Sequence, residues 1–309
     1  MVEGDLIDNR FRVGARIGQG GFGVVHRAWD ERLGRNVAIK EIAGGDSRRV
    51  EREAQAAARL NHPGIVTLFE LARGPAGTYL VSELVEGATL RALLAEGALA
   101  DRDVAVVGGE LCLALEHAHD RGVVHRDIKP ENVIVAAGDP RSGAGRGQVK
   151  LMDFGIAAIL GAPTLTETGQ MVGTIAYIAP ELAEGHRAGP PADVYALGLS
   201  LYESWCGRNP VARGTPAATA RSIGSEIPPL AVERPDIPPG MAAVVDACLE
   251  PAPEQRPALD ELRASLRSAE PALHASSPVP TPTSVSKSPT EALALPRSRA
   301  HPFTLAALI

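Results

Sequence analysis

The stretch Ile17-Gly-Gln-Gly-Gly-Phe-Gly-Val-Val25 is the segment from which the fold can be worked out. It contains the pattern G-x-G-x-x-G, with glycines at Gly18, Gly20 and Gly23. A glycine has no Cβ atom, so the backbone can approach phosphate oxygens closely and adopt φ values that other residues resist. The pattern therefore indicates a phosphate-binding loop, although two unrelated folds use it for that purpose.

The residues that follow the loop separate these two folds. A dinucleotide-binding fold needs a helix directly after the third glycine and an acidic residue about 20 positions further on. Here Gly23 is followed by VVHRAW, which favours a second strand, so the loop is predicted to lie in a hairpin. A hairpin has no helix N-terminus to hold phosphates. Lys40, at the end of the next predicted strand Val37-Ala-Ile-Lys40, supplies the positive charge instead.

The bulk composition excludes several classes of protein. With 45% hydrophobic and 22% charged residues, the 309-residue chain suits a folded protein with a sizeable core. Its net charge of −6 argues against nucleic acid or an anionic membrane as a partner. No apolar run approaches the roughly 20 residues of a membrane helix, and the polar N-terminus is not a secretory signal. Cys112, Cys206 and Cys248 form neither a zinc motif nor a disulfide framework, which favours a reducing, cytoplasmic location.

The order of the predicted elements favours the α+β class. Residues 11–42 alternate apolar and polar side chains as strands do, and VEREAQAAARL then predicts a helix that stops at Asn61-His62-Pro63-Gly64. After Gly87 the patterns are mainly helical, and one helix is predicted from Asp101 to His119 with Asp101 as its cap. A small β-rich part followed by a larger helical part predicts segregated elements, not alternating βαβ units.

The glycine loop and VAIK together resemble the small lobe of a protein kinase, and further matches follow in the order of that family. They are His125-Arg-Asp-Ile-Lys-Pro-Glu-Asn132, Asp153-Phe-Gly155, Gly173-Thr174, Ala179-Pro-Glu181, Asp193-Val-Tyr-Ala-Leu-Gly198 and Arg256. Each match is weak alone, but together and in order they are not expected by chance. The resemblance implies a bilobal α+β protein kinase fold.

The resemblance also implies a division of the chain. The kinase domain is expected over about residues 11–268, with the small lobe at about 11–86 and the large lobe at 87–268, after an N-terminal segment of residues 1–10. Residues 269–309 are rich in Pro, Ser and Thr, which predicts a disordered tail. Whether the chain is a soluble kinase or a shortened form of a membrane-anchored one stays open.

The resemblance implies roles for several polar residues of the catalytic loop, His125–Asn132, and of the D-F-G motif, Asp153–Gly155. Asp127 would accept the proton of the substrate hydroxyl or orient that hydroxyl, and Lys129 would face the transferred phosphate. Asn132 and Asp153 would supply oxygen ligands to Mg²⁺, a hard ion that prefers them, and Mn²⁺ is an alternative ion.

The same resemblance implies how ATP would bind. Lys40 would hold the α- and β-phosphates and would itself be fixed by an ion pair with Glu53 of the following helix, with Glu51 as the rival partner. The adenine ring would meet the hinge Ser82-Glu-Leu-Val-Glu-Gly87, where the small Ser82 predicts a roomy pocket behind the ring. The nucleotide contacts implied in this way are Ile17, Gly18, Gln19, Gly20, Gly21, Phe22, Gly23, Val24, Val25, Ala38, Lys40, Glu83, Val85 and Ile134.

The closest resemblance is to bacterial serine/threonine kinases, which implies protein substrates with Ser or Thr acceptors and a role in signalling. Thr174, in the substrate loop, is expected to have a structural role and to contact Asp127 and Lys129. Arg126 calls for an anion, and phosphates on Thr166 and Thr168 would provide it; a homodimer is one arrangement for such autophosphorylation. Ordinary loop composition is the alternative explanation of these threonines. The rival function is a kinase-like scaffold without catalysis, against which the retention of every catalytic group argues.

Overall fold

The structure is a computed structural model that describes residues 1–20, 23–42, 47–74, 77–136, 148–154 and 175–274. Several predictions concern residues outside these ranges. They are the nucleotide contacts of Gly21 and Phe22, the phosphorylation of Thr166 and Thr168, the contact of Thr174 with the catalytic loop, and the disorder of the tail from residue 275 onward.

A six-stranded antiparallel sheet forms the N-terminal part. Its strands are β1 (Leu6–Ile7), β2 (Phe11–Gly20), β3 (Gly23–Asp30), β4 (Arg35–Ile42), β5 (Leu68–Gly74) and β6 (Gly77–Glu83). They lie in the order β1-β2-β3-β4-β6-β5. Alternating apolar side chains bury one of its faces around Phe11, Val37 and Tyr79. The glycine loop turns between β2 and β3, which pair from Phe11 with Asp30 to Gly20 with Gly23, as the hairpin interpretation requires.

The N-terminal residues belong to this sheet. Strand β1 pairs with β2, and Ile7 is buried in the same apolar cluster as Phe11. The amino group of Met1 lies 3.5 Å from the carboxylate of Glu41 on β4. The packed small lobe thus begins before residue 11. The sequence did not indicate this, because a strand of two residues is too short to show an alternation of apolar and polar side chains.

The C-terminal part is mainly helical. The helices in the described ranges are α1 (Ser47–Ala57), which packs on the sheet, α2 (Leu90–Glu96), α3 (Asp101–His119), α4 (Pro180–Ala183), α5 (Pro190–Cys206), α6 (Pro216–Ser222), α7 (Leu230–Glu233), α8 (Pro239–Cys248) and α9 (Leu259–Ala269). Helix α5 lies at the centre, with the side chains of Tyr195, Tyr202 and Trp205 almost completely buried. Its burial on all sides makes it the fixed element of the large lobe.

Helix α3 spans the predicted residues, but the prediction for its cap is wrong. The backbone N–H of Ala100 donates to the carboxylate of Asp103 at 3.1 Å, so Asp103 stabilises the first turn. Asp101 is buried and accepts a hydrogen bond from Arg234 at 2.7 Å. Asp101 thus pairs with a distant arginine in the core and does not cap the helix, which is the local role that its position in the sequence suggested.

A second sheet, of three strands, positions the predicted site residues of the large lobe. It is formed by β7 (Gly87–Thr89), β8 (Val133–Ala136) and β9 (Val149–Leu151), in that order. Strand β8 directly follows the catalytic loop, and β9 ends two residues before Asp153. The two segments that hold the predicted polar residues are therefore adjacent because their strands are paired.

The packed chain extends past residue 269, where the tail was predicted to begin. Residues Glu270–Ala272 form a short 3-10 turn, and Leu273 is buried in the main core. The carboxylate of Glu270 accepts a hydrogen bond from Arg102 of α3 at 2.7 Å. The large lobe therefore includes residues up to His274, because one leucine and one ion pair attach them to α3 and the core.

A glycine in α5 permits a close contact with α8. A Cβ atom added at Gly198 would lie 2.6 Å from Cβ of Cys248 on α8, and that atom cannot move without its backbone. Gly198→Ala gains about 1 kcal/mol of helix propensity but overpacks the contact, which costs about 1–3 kcal/mol. We expect a net loss in the free energy of unfolding, measured by urea denaturation.

Gly109→Ala is the matched control, because Gly109 also lies inside a helix and an added Cβ would meet nothing within 4 Å. This variant should gain up to about 1 kcal/mol of stability. Equal changes in the two variants would contradict a steric role for Gly198.

Candidate functional site

The catalytic loop between α3 and β8 holds a buried carboxylate in one orientation. The ammonium group of Lys129 lies 3.0 and 2.8 Å from the two carboxylate oxygens of Asp127. The side-chain amide of Asn132 donates to Oδ2 of Asp127 at 2.8 Å and to its backbone carbonyl at 2.7 Å. All three side chains are buried. The structure thus brings Asp127, Lys129 and Asn132 together, with the carboxylate at the centre of the group.

Asp193, at the start of α5, holds this loop by its backbone. Its carboxylate accepts hydrogen bonds from the N–H groups of His125 at 2.8 Å and Arg126 at 2.9 Å, and it lies 2.8 Å from Nε2 of His119. Arg126 has φ of +71°, a left-handed conformation that costs free energy for a residue with a Cβ. The paired N–H groups explain how the loop keeps that conformation.

The ring of His125 connects the catalytic loop to the D-F-G segment. Its Nδ1 accepts from the N–H of Asp127 at 3.2 Å, and its Nε2 lies 2.6 Å from the carbonyl oxygen of Met152, to which it donates. The ring also makes an edge-on contact with Phe154, at 4.6 Å between centroids. These contacts fix the distance between Asp127 and the neighbouring Asp153.

Lys40 of β4 reaches across the cleft to Asp153. Its Nζ lies 2.8 Å from Oδ2 of Asp153, and the two side chains are only 9% and 12% exposed. Asp153 has φ of +63°, the second left-handed conformation at this site. The structure therefore brings together a strand of the small lobe and the end of β9 through one nearly buried ion pair.

The predicted ion pair between Lys40 and Glu53 is not formed in this structure. Among the described residues, the ion-pair partner of Glu53 is Arg126, with 3.9 Å between the charged atoms, while Lys40 is paired with Asp153. The rival candidate, Glu51, faces the surface and pairs with Arg73 at 3.1 Å. Glu53 remains close to the site, but α1 turns its carboxylate toward the catalytic loop of the large lobe.

The donor set fits a magnesium ion. Asn132 donates through its amide nitrogen, which leaves its amide oxygen as an acceptor, and Asp153 has a second carboxylate oxygen besides the one on Lys40. In the described ranges no three His, Cys, Asp or Glu side chains converge on a point that could hold a metal. Magnesium accepts such a small set because it takes its other ligands from phosphates and water.

Several residues predicted to contact the nucleotide lie around the cleft. Lys40 pairs across the sheet with Val25 on one side, and Ala38 pairs with Ser82 on the other. Val85 and Ile134 are buried in a small cluster with Met152, below the sheet. Val25 and Met152 line one cavity, and Met152 packs with Val85 and Ile134, so apolar side chains of β3, the hinge and β8 lie close together.

The cavity behind Ser82 is small. It has a volume of about 50 Å³ and is lined on one side by Ala54 and Ala57 of α1, and on the other by Phe154. Ser82 does leave space, as its size predicts, but α1 closes the space on the other side.

Lys150 is a residue of this region that the motifs did not reveal. Its Nζ lies 2.9 Å from the carboxylate of Glu83 in the hinge, and it is only 12% exposed. The same carboxylate accepts from the backbone N–H of Thr67 at 3.2 Å. The pair connects the hinge to β9, and no local pattern around a single lysine in a three-residue strand could have indicated it.

Comparisons with known proteins agree with this geometry. A family model described as "Protein kinase domain" matches residues 11–266. A probable serine/threonine-protein kinase of Streptomyces coelicolor is 38% identical over 86% of this chain, and serine/threonine-protein kinase PknA of Mycobacterium tuberculosis is 38% identical over 82%. The matched regions cover 41% and 59% of those relatives, so the chain spans about half of their length.

A solved structure gives the same result for the fold. The crystal structure of the Mycobacterium tuberculosis PknI kinase domain superimposes with a TM-score of 0.69 at 25% identity, and covers 87% of this chain and 99% of that domain.

Across the described ranges, the helices are all too short or too polar to cross a membrane.

The role of Asp193 leads to a prediction about stability. Asp193→Asn replaces one acceptor oxygen by an amide donor, so one buried N–H of His125 or Arg126 loses its partner. That loss should lower the free energy of unfolding by about 1–3 kcal/mol, measured by urea denaturation.

Asp246→Asn is the matched control. Burial raises the pKa of Asp246, and its carboxylate accepts from one backbone N–H, that of Leu230. A neutral amide oxygen can replace it there, so the change should stay within about 0.5 kcal/mol. Equal losses at the two positions would contradict the role of Asp193 as an anchor of the loop.

Proposed function

Because the chain belongs to the protein kinase family, we propose that it is a serine/threonine protein kinase, which transfers the γ-phosphoryl group of ATP to Ser or Thr hydroxyls of proteins. The observation that carries this proposal is the Asp127 carboxylate, which Lys129 and Asn132 hold by hydrogen bonds. We also propose that the chain takes part in bacterial signal transduction and is located in the cytoplasm.

Asp127 is the proposed acceptor for the proton of the substrate hydroxyl. Lys129 and Asn132 donate to its carboxylate from within the loop, so its orientation is set before a substrate arrives. Phosphoryl transfer depends mainly on positioning and on neutralising charge, and a fixed acceptor serves the first need. Lys129, beside that carboxylate, serves the second by facing the transferred phosphate.

Lys40 and Asp153 are proposed to act on the phosphates of ATP from two sides. Lys40 would hold the α- and β-phosphates, and Asn132 and Asp153 would hold Mg²⁺ or Mn²⁺. The ion would neutralise phosphate charge when it is bound. In the structure Lys40 and Asp153 neutralise each other, so each must exchange this partner when nucleotide and metal enter.

Glu53 is proposed to change its partner during activation. It now lies 3.9 Å from Arg126, and a rotation of α1 toward the cleft would bring it to Lys40. Phosphate on Thr166 or Thr168 would compete for Arg126, because a phosphothreonine carries about two negative charges and three strong acceptor oxygens. Autophosphorylation would then release Glu53 for the ion pair that fixes Lys40.

Labelled phosphate transfer tests the proposed function. Asp127→Asn should lower transfer from γ-labelled ATP to the chain and to a generic basic protein by about 10²–10⁴-fold, and Lys40→Met should also lose transfer. Asp260→Asn, an exposed carboxylate of α9, is the control and should label normally. Mass spectrometry of the labelled wild type should find phosphate at Thr166 or Thr168.

Two outcomes of this experiment would contradict the proposal. Equal labelling of wild type, Asp127→Asn and Lys40→Met would show that the assigned groups do not catalyse transfer. A wild type that binds ATP but labels nothing would favour the scaffold.

The partner exchange of Glu53 gives a separate prediction. Glu53→Gln should lower the rate of phosphoryl transfer by at least about tenfold, because a free-energy difference of ~1.4 kcal/mol in fixing Lys40 is enough for that change. Glu51→Gln is the matched control on the same helix and should leave the rate within about twofold, since a surface ion pair contributes little. A reversed order of the two variants would identify Glu51 as the partner.

A further inference from the structure

The loop that follows α1 packs against α3 through two histidine side chains. His62 of this loop and His117 of α3 lie with 5.0 Å between their ring centroids, and the two rings are tilted by 41°. Both side chains are half-buried. The contact belongs neither to the catalytic loop nor to the nucleotide cleft, so the proposed function gives it no role.

The same loop joins the small lobe to the large lobe. Its apolar side chains Leu60 and Ile65 are buried in the main core of the large lobe. The N–H of Leu151 in β9 donates to the carbonyl of Gly64 at 2.9 Å, and the N–H of Val66 donates to the carbonyl of Leu151 at 3.0 Å. A movement of the loop would therefore act on β9 and, through the chain, on the end of α1.

His62 stabilises this loop only in its neutral form. Its Nδ1 accepts from the N–H of Gly64 at 3.0 Å, so the proton of the neutral ring is on Nε2. The packing is tight, because a Cβ atom added at Gly64 would lie 3.2 Å from Nδ1 of His62 and 3.4 Å from Cβ of Ala114. A second proton can enter the ring only at Nδ1, where it would face the N–H of Gly64 and replace a hydrogen bond by a contact between two donors.

The surroundings of the two rings disfavour a positive charge. Nε2 of His117 is buried and has no hydrogen-bond partner among the described residues. Burial is the main cause that lowers the pKa of both histidines. For His62 the further causes are charge on His117, Arg121 and Lys150, and for His117 the further cause is Arg121, which Asp120 opposes. Both rings are therefore neutral near pH 7 and take up protons at a lower pH than an exposed histidine does.

We propose that His62 and His117 form an acid-sensitive contact, which holds the loop after α1 in place only while both rings are neutral. Protonation would remove the hydrogen bond from Gly64 and place a positive charge against the second ring. The loop would then lose its attachment to β9, and α1, which carries Glu53 and ends five residues before His62, would lose its support. The contact lies outside the candidate site, so this inference goes beyond the proposed function and does not depend on it.

Native-state hydrogen exchange measures the attachment of the loop directly. The amide protons of Val66 and Leu151 report it, after correction for the pH dependence of exchange in unfolded peptides. The closed state has the lower histidine pKa, so opening is favoured only below the ordinary histidine value of about 6.5. Between about pH 6.5 and pH 5.5 the opening constant of the wild-type chain should rise by up to about tenfold for each histidine that takes up its proton only on opening.

The double variant His62→Asn with His117→Phe tests the pair. An asparagine side-chain oxygen can accept the N–H of Gly64 as Nδ1 of His62 does, and a phenylalanine ring keeps the apolar contact without a group that titrates. The opening constant of this variant should change by less than about twofold over the same pH range. His186→Gln is the matched control, since the side chain of His186 is 68% exposed, and it should follow the wild type.

Each outcome decides the question. A wild-type opening constant that stays within about twofold over this range, or a double variant that keeps the wild-type pH dependence, would overturn the inference. If the double variant does not fold, the NMR titration of the two rings in the wild type replaces it: both should take up protons below about pH 6.5, and ordinary titration of both rings would overturn the inference. The exchange experiment contains no ATP, so its result is distinct from that of the labelling experiment.

Discussion

The rest of the site depends on the hydrogen bonds that the buried carboxylate of Asp193 accepts. This carboxylate joins α5, the most deeply buried helix of the large lobe, to the backbone of His125 and Arg126. Main-chain groups donate these hydrogen bonds, so the bonds fix the position of the loop independently of the conformations of its side chains. Asp127 then takes its place relative to α5, and the ring of His125 carries that position on to the end of β9. The geometry of the candidate site is therefore set from the core outward.

Three ion pairs join the two lobes, besides the apolar contacts and backbone hydrogen bonds between them. Lys40 of the sheet pairs with Asp153, Glu53 of α1 pairs with Arg126, and Glu83 of the hinge pairs with Lys150. Ion pairs keep their partners less strictly than packed apolar side chains, because several arrangements satisfy the same charges. The large lobe is held by apolar packing and stays fixed, whereas the relation of α1 to the catalytic loop is open to exchange. The 3.9 Å pair of Glu53 is the longest of these three contacts and the one most readily replaced.

Much of the fold was predictable because it depends on local pattern. The strand after Gly23 indicated the hairpin, and the residues from Asp101 to His119 indicated α3 within its observed bounds. The family resemblance supplied the candidate site, and the structure brings Asp127, Lys129 and Asn132 into contact.

Other features depend on contacts between residues distant in sequence, which no local pattern reports. Asp101 was expected to cap α3, but its carboxylate instead accepts a hydrogen bond from Arg234, 133 positions away. The partner of Glu53 depends on how α1 is rotated relative to the large lobe, and the sequence contains no signal for that rotation. Strands of two or three residues, such as β1 and β9, have too few residues to show alternation, so the roles of Ile7 and Lys150 became visible only in the folded chain.

The ion pair of Lys40 and Asp153 has a consequence for the order in which ligands are accepted. A polyanion that binds alone must separate Lys40 from Asp153 and leave a nearly buried carboxylate without this partner. A cation that binds alone at Asp153 does the same to the lysine. When the two arrive together, each replaces the partner that the other removes. The pair of Lys40 and Asp153 would therefore give positive cooperativity between nucleotide and metal, and by thermodynamic reciprocity each ligand would raise the affinity for the other by the same factor.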